Sequence, residues 1–148
     1  MKIRRCHTGD EPDWLSMRQA LWPDEIQASH QAEMNAWCDA PERCVAFVAE
    51  ARDGSLVGFV EASIRSDYVP GTTTSPVGYL EGLYVTPPYR RGGTARALVN
   101  AAEQWALERG CREMASDVDL GNVVSQSTHT ALGYRESERV IFYRKPLG

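Results

Sequence analysis

Two sets of residues in this 148-residue chain are spaced for chemistry. The first is Pro87-Pro88-Tyr89-Arg90-Arg91-Gly92-Gly93-Thr94-Ala95, which stands between an apolar strand pattern and the start of an apolar helical stripe. Paired glycines let the backbone turn sharply and gather free amides, and a helix start adds partial positive charge there. A turn of that kind binds phosphate. It lacks the Gly-Lys-Ser/Thr of a nucleotide-binding P-loop and the Gly-x-Gly-x-x-Gly of a dinucleotide fold, and it also reads as a plain strand-to-helix loop with exposed arginines. The second set is acidic. Alternation along Val77 to Val85 puts Val77, Tyr79, Glu81, Leu83 and Val85 on one face, so a carboxylate stands among apolar side chains. A charge buried there needs a compensating cation, either an ammonium ligand or an arginine of another strand. Asp117 and Asp119, just past a strand pattern, are helix caps or cation ligands. Trp22, beside Pro23, Asp24 and Glu25, fills a core or walls a pocket.

The elements that must position these groups follow from periodicity. Lys2 to Cys6 predicts a short strand. Trp14, Leu15, Arg18 and Leu21 predict a helix from Asp13 to about Trp22, with Asp10 or Asp13 accepting from its first amides. Gln27 to Cys38 predicts a second helix. Cys44 to Ala51 and Leu56 to Tyr68 predict antiparallel strands joined at Asp53-Gly54, followed by a strand from Val77 to Val85. A helix from Thr94 to Arg109 carries the stripe Ala95, Leu98, Val99, Ala102 and Ala106 and stops at Gly110. Cys111 to Asp117 predicts a strand, Asn122 to Leu132 a helix, and Tyr134 to Arg144 a last strand or bent hairpin. The order predicts an α/β fold, a mixed central sheet with flanking helices, in one domain over residues 1–148.

Composition narrows the function classes. With 43% hydrophobic and 24% charged residues the chain can build a core of its own, and a net charge of −4 gives it no general attraction for nucleic acid or anionic lipid. The longest wholly apolar run, Cys44 to Ala49, is too short to span a bilayer, and the basic start leads into polar residues rather than a signal-peptide core. Cys6, Cys38, Cys44 and Cys111 show no Cys-x-x-Cys spacing, so no metal site is expected, and reduced thiols in a cytoplasmic protein are.

The loop Arg90 to Ala95 resembles the Arg/Gln-x-x-Gly-x-Gly/Ala signature of the Gcn5-related N-acetyltransferases, which holds the pyrophosphate of acetyl-CoA. Downstream, Asn122, Ser125, His129 and Gly133-Tyr134 follow that family's Asn-x-x-Ala-x-x-x-Tyr-x-x-x-Gly-Phe pattern, with His129 in place of the tyrosine that often protonates the leaving thiolate. His129 either donates a proton or packs. A narrower resemblance, to aminoglycoside 6'-N-acetyltransferases, runs through Leu21-Trp22-Pro23, Asp67-Tyr68-Val69, Ser75-Pro76-Val77, Leu80-Glu81-Gly82, Cys111 to Asp117 and Glu138 to Lys145. It implies aminoglycoside contacts at Trp22, Tyr68, Glu81, Asp117 and Glu138. For acetyl-CoA it implies the backbone of Leu83, Tyr84 and Val85, the loop Arg91, Gly92, Gly93, Thr94, Ala95 and Arg96, and Asn122. That subfamily often has histidine three places after the tryptophan, where this chain has Glu25.

The resemblance implies acetyl transfer from acetyl-CoA to a primary amine, with direct attack in a ternary complex, since no cysteine lies in an acyl-enzyme motif. A carboxylate must take the amine's proton; Glu81 is the first candidate and Asp117 the second. A homodimer is implied, the last strand contributing to the interface. Another amine acceptor, or an acyl-CoA sensor without activity, fits the same fold.

Overall fold

The computed structural model describes all 148 residues. Its elements are β1 (Lys2–Arg5), α1 (Glu11–Leu21), α2 (Gln27–Asp39), β2 (Cys44–Glu50), β3 (Leu56–Arg65), β4 (Val77–Val85), α3 (Thr94–Glu108), β5 (Met114–Ser116) and α4 (Val123–Ala131). The five strands form one sheet in chain order. All neighbours are antiparallel except β4 and β5, which run parallel, the crossover between them containing α3. This is the expected mixed α/β sheet.

Each face of the sheet buries its own helices. Leu98, Val99, Ala102, Trp105 and Ala106 of α3 pack on Val45, Val60, Ala62, Leu80 and Val85. On the opposite face Trp14 and Met17 of α1 and Met34 of α2 pack on Ala46, Val48 and Phe59. Asp10 is the residue capping α1, yet its side chain does not bond to that helix. Its carboxylate instead accepts from the backbone of His7 and from the Arg4 guanidinium, tying β1 to the segment that enters α1.

The β3–β4 pairing contains the irregularity that shapes the site. Glu61 lies opposite Gly82 and Ala62 opposite Leu80, so Glu81 is an extra residue with no partner in β3. The insertion breaks the alternation expected for β4. Leu83 and Val85 turn to the α3 face, whereas Glu81 meets Ser63 and Arg65 on the α1/α2 side.

Two expected strands are shorter and one is absent. β3 ends at Arg65 rather than Tyr68, and β5 spans Met114–Ser116 rather than Cys111 to Asp117. The expected strand Tyr134 to Arg144 does not form: the residues after Gly133 carry no regular structure, and Phe142 and Tyr143 are 92% and 89% exposed. A strand exists only by pairing, and within one chain no other strand bonds to this segment.

Candidate active site

The turn before α3 is built as the glycines require. Arg91 and Gly93 hold φ of 63° and 87°, the left-handed region, and Gly93 is the residue capping α3. The backbone amides of Arg91, Gly92, Gly93, Thr94, Ala95 and Arg96 find no acceptor in the chain; the first amide of the helix to do so is that of Ala97, on the Gly93 carbonyl. A Cβ on Gly93 would meet nothing within 4 Å, so its outer side is open. A row of unpartnered donors at a helix start is an anion site. Arg90 braces it, giving its Nε–H to the Val85 carbonyl at 2.7 Å.

β4 and β5 pair only from Gly78 to Leu80, against Met114 to Ser116. Past that point the two strands part, and Leu83, Tyr84 and Val85 have no strand partner on the β5 side. Glu81 sits where they separate. Its Oε1 accepts from Ser63 Oγ at 2.9 Å and from Arg65 Nη2 and Nε at 2.6 and 3.2 Å, while Oε2 receives no bond from the chain. The arginine considered for this carboxylate is Arg65, of the neighbouring strand.

Arg65 extends the cluster. Its guanidinium carbon lies 3.4 Å from the Tyr79 ring centroid, and the Tyr79 hydroxyl donates to Asp117 Oδ2. Burial, and then Asp117, push the Tyr79 phenol well above its usual pKa, so it keeps its proton and remains the donor. Asp117 is therefore no helix cap. Glu81 and Asp117 are joined through one stacked pair of side chains.

Trp22, at the end of α1, lies over the same strand: a Cβ on Gly82 would be 2.5 Å from the indole Cη2. Beneath it is a buried polar network. Arg18 stands 4.8 Å from the indole centroid and bonds through Nη1 to Glu61, through Nη2 to Glu33 and through Nε to His30 Nδ1 at 3.2 Å. With Nδ1 accepting, Nε2 carries the hydrogen and donates to the Trp22 carbonyl at 3.2 Å. Trp14 Nε1 donates to Glu61 at 2.9 Å. Burial pushes the Glu61 carboxyl up, against the pull of Arg18 and Trp14. Glu25, half-exposed, comes within 3.9 Å of His30 Nδ1. Trp22 thus rests on this network and lies against Gly82.

The remaining candidates are less engaged. Tyr68 is 77% exposed and follows β3. Glu138 is exposed on the segment after Gly133 and makes no hydrogen bond within the chain. Asn122 caps α4, its side chain accepting from the Ser125 amide. Both nitrogens of His129 are occupied: Nδ1 lies 2.8 Å from the Ser125 carbonyl and Nε2 2.8 Å from Ser116 Oγ. Its ring also meets Tyr134 edge-on at 5.8 Å.

Ser63, Arg65, Tyr79, Arg18 and His30 were not among the sequence candidates. Alternation on β3 does place Ser63 and Arg65 on one face, two and four residues past Glu61, but only strand register shows that they meet Glu81.

The match of residues 14–134 to the model of the acetyltransferase (GNAT) family fits this architecture, and the chain belongs to that family. Within it the chain is 47% identical to an aminoglycoside N(6')-acetyltransferase type 1 of Serratia marcescens over 97% of each chain, and 44% identical to one of Salmonella typhimurium over 98% and 99%. Among solved structures it is similar to the apo aminoglycoside antibiotic 6'-N-acetyltransferase AAC(6')-IG of Acinetobacter haemolyticus, at TM-score 0.94 and 41% identity over all of both chains. It is also similar to AAC(6')-Iy in complex with the bisubstrate analogue CoA-S-monomethyl-acetylneamine, at TM-score 0.92 and 43% identity over 99% and 98%.

Proposed function

We propose that this chain, as one catalytic domain over residues 1–148, transfers the acetyl group of acetyl-CoA to the 6'-amino group of aminoglycoside antibiotics and so confers resistance to them. The observation that carries the reading is the placing of a row of acceptor-free amides, Arg91 to Arg96, beside a strand gap whose mouth holds a carboxylate with one free oxygen. The amides and Arg91 and Arg96 hold the CoA pyrophosphate, the parted backbone at Leu83, Tyr84 and Val85 polarises the thioester oxygen, and Asn122 lines the CoA side. Trp22, Glu25, Tyr68, Glu81, Asp117 and Glu138 contact the drug. A free alkylamine is mostly protonated at neutral pH, so Glu81 Oε2, directly or through water, takes its proton. The amine nitrogen then attacks the thioester carbonyl, the carbon–sulfur bond breaks, and CoA leaves as thiolate, which takes up the proton that the acylated nitrogen loses in becoming an amide. His129, with both nitrogens engaged, serves as packing that fixes Ser116 and α4.

The active form is a homodimer. Val140, Ile141, Phe142 and Tyr143 are all more than 60% exposed, an apolar run that a second chain would cover, and the same docking would carry Glu138 toward a pocket. The protein is placed in the cytoplasm, where its four free cysteines stay reduced; no helix is long and apolar enough to cross a membrane.

Release of free thiol from acetyl-CoA with kanamycin, spermidine or a lysine peptide tests the assignment. Turnover should be fastest with kanamycin. Preference for spermidine or the peptide would move the acceptor to another amine, and no thiol release with any of the three would leave only a CoA-binding role.

A further inference from the structure

We propose that Arg65 and Tyr79 form a positioning unit that holds Glu81 and Asp117 at a fixed spacing, and that this spacing selects acceptors carrying two ammonium groups. The inference rests on the acceptor reading above and goes beyond it in naming what sets the specificity. Each carboxylate is gripped by the chain at one oxygen only. Glu81 accepts at Oε1 from Ser63 and Arg65, and Asp117 accepts at Oδ2 from Tyr79; Oε2 and Oδ1 receive no bond from the chain. The two grips are made by side chains in contact with each other, the guanidinium lying 3.4 Å from the phenol ring centroid.

The spacer is anchored below. Tyr79 is 6% exposed and packs with Val69 and Val77, so the ring cannot swing without opening that small core. Arg65 is the last residue of β3, paired with Val77 of β4, which sets the origin of its side chain. Because the bulge puts Glu81 out of register, its carboxylate faces back along β3 to Ser63 and Arg65 instead of pairing across the sheet. Two free anionic oxygens held by a rigid stack form a two-point template. A diammonium acceptor engages both, and a monoamine engages one.

The parts of the unit separate by mutation. Tyr79→Phe keeps the ring under Arg65 and removes only the hydroxyl. It should lower kcat/KM for kanamycin about 10-fold, mostly through KM, the order expected for loss of one charge-assisted hydrogen bond. For 6-amino-6-deoxyglucose, which offers a primary amine and no second ammonium, the change should stay within about twofold. In an Asp117→Asn background the same change should cost nothing further, since residues that act as a unit are not additive. Arg65→Met should lower kcat for both acceptors by about 10-fold without raising KM for acetyl-CoA, Arg65→Lys should recover part of the loss, and Arg65→Met should add nothing to Glu81→Gln. Equal losses for both acceptors in Tyr79→Phe, or full additivity with Asp117→Asn, would overturn the spacer. Wild-type protein that leaves kanamycin unacetylated would instead overturn the acceptor reading, and full activity in Glu81→Gln would overturn only the choice of base.

Discussion

Gly82→Ala tests whether the acceptor wall and the catalytic strand are one packed unit. The added methyl would stand 2.5 Å from Trp22 Cη2 and 2.9 Å from Cζ2, where about 3.5 Å is comfortable, so the indole must retreat by about 1 Å. Behind it stand Phe59 and His30, each with its ring centroid 6.4 Å from that of Trp22, and Arg18 at 4.8 Å. Overpacking of this kind costs about 1–3 kcal/mol, offset by the roughly 0.4–1 kcal/mol that Gly→Ala gains by restricting the unfolded chain. The net is about 0–2.6 kcal/mol, and its midpoint of about 1.3 kcal/mol corresponds to a fall in Tm of roughly 3–5 °C at this chain length. The displaced indole should raise KM for kanamycin several-fold, while KM for acetyl-CoA, whose turn lies beyond β4 at Arg91 to Arg96, should hold within about twofold. Trp22→Phe removes the two crowded carbons, so the double variant should regain most of the lost Tm without regaining drug affinity. Calorimetry and initial-rate kinetics on the four proteins decide the matter. A Gly82→Ala protein with unchanged Tm and unchanged kanamycin KM, or a double variant that melts no higher than the single one, refutes the reasoning.

Glu81→Gln should lower kcat by a factor of about 10² to 10⁴ with little effect on Tm, whereas Glu61→Gln, which strips a partner from buried Arg18, should cost about 3–5 kcal/mol of stability; the reverse pattern in kinetics and denaturant titration would exchange their roles. Gly93→Val forces a β-branched residue to a φ of 87° and should weaken acetyl-CoA binding at least several-fold in calorimetric titration; unchanged affinity in a folded protein would remove the turn from the CoA site. Asp117→Asn and Glu138→Gln should each raise the kanamycin KM and flatten its rise with salt, and wild-type salt slopes in both would end the acidic-pocket assignment. The Arg4 guanidinium, bonded to Asp10, holds that carboxyl down at about 2. Its folded pKa lies below the unfolded one, so the contribution, about 2 kcal/mol, is complete above about pH 4 and fades as pH falls to about 2. The stability gap between wild type and Asp10→Asn should close over that window in urea titrations, and a constant gap would refute the linkage.

How far such groups can be read from sequence depends on whether their neighbours are local. The loop Arg90 to Ala95 is legible because the free amides of its turn belong to its own backbone, so spacing and glycine content suffice to find them. The bounds of β4, Val77–Val85, and the stripe of α3 are legible for the same reason. The face of Glu81 is not. A bulge leaves no mark in composition, and one inserted residue turns Leu83 and Val85 away from it. The pairing of Arg65 with Glu81 depends on register, and the Arg18–His30–Glu61 network joins α1, α2 and β3, which no pattern within one element reveals. The strand expected at Tyr134 to Arg144 has the right composition, but a strand needs a partner that periodicity does not supply.

Two glutamates near the bulge show how one residue type is assigned to opposite tasks. Glu61 and Glu81 each face an arginine, one in register and one out of it. The side chain of Glu61 is 3% exposed and that of its Arg18 partner 1%, so this pair must be complete and still; a buried charge left alone would destabilise the fold. Around it the network sets His30 and hence the Trp22 carbonyl. Glu81 is 24% exposed and Arg65 42% exposed, so water and an incoming ammonium can compete for the charge. That pair holds one carboxylate oxygen and leaves the other without a bond from the chain. The extra residue in β4 makes this difference, because it moves Glu81 out of the ladder to the point where β4 and β5 part, while Glu61 stays paired with Gly82 in the core. Glycine at that position in turn gives Trp22 room to lie against the strand. One irregularity in strand pairing therefore places the proposed base, the proposed gap for the thioester and the proposed wall for the acceptor within a few residues of one another.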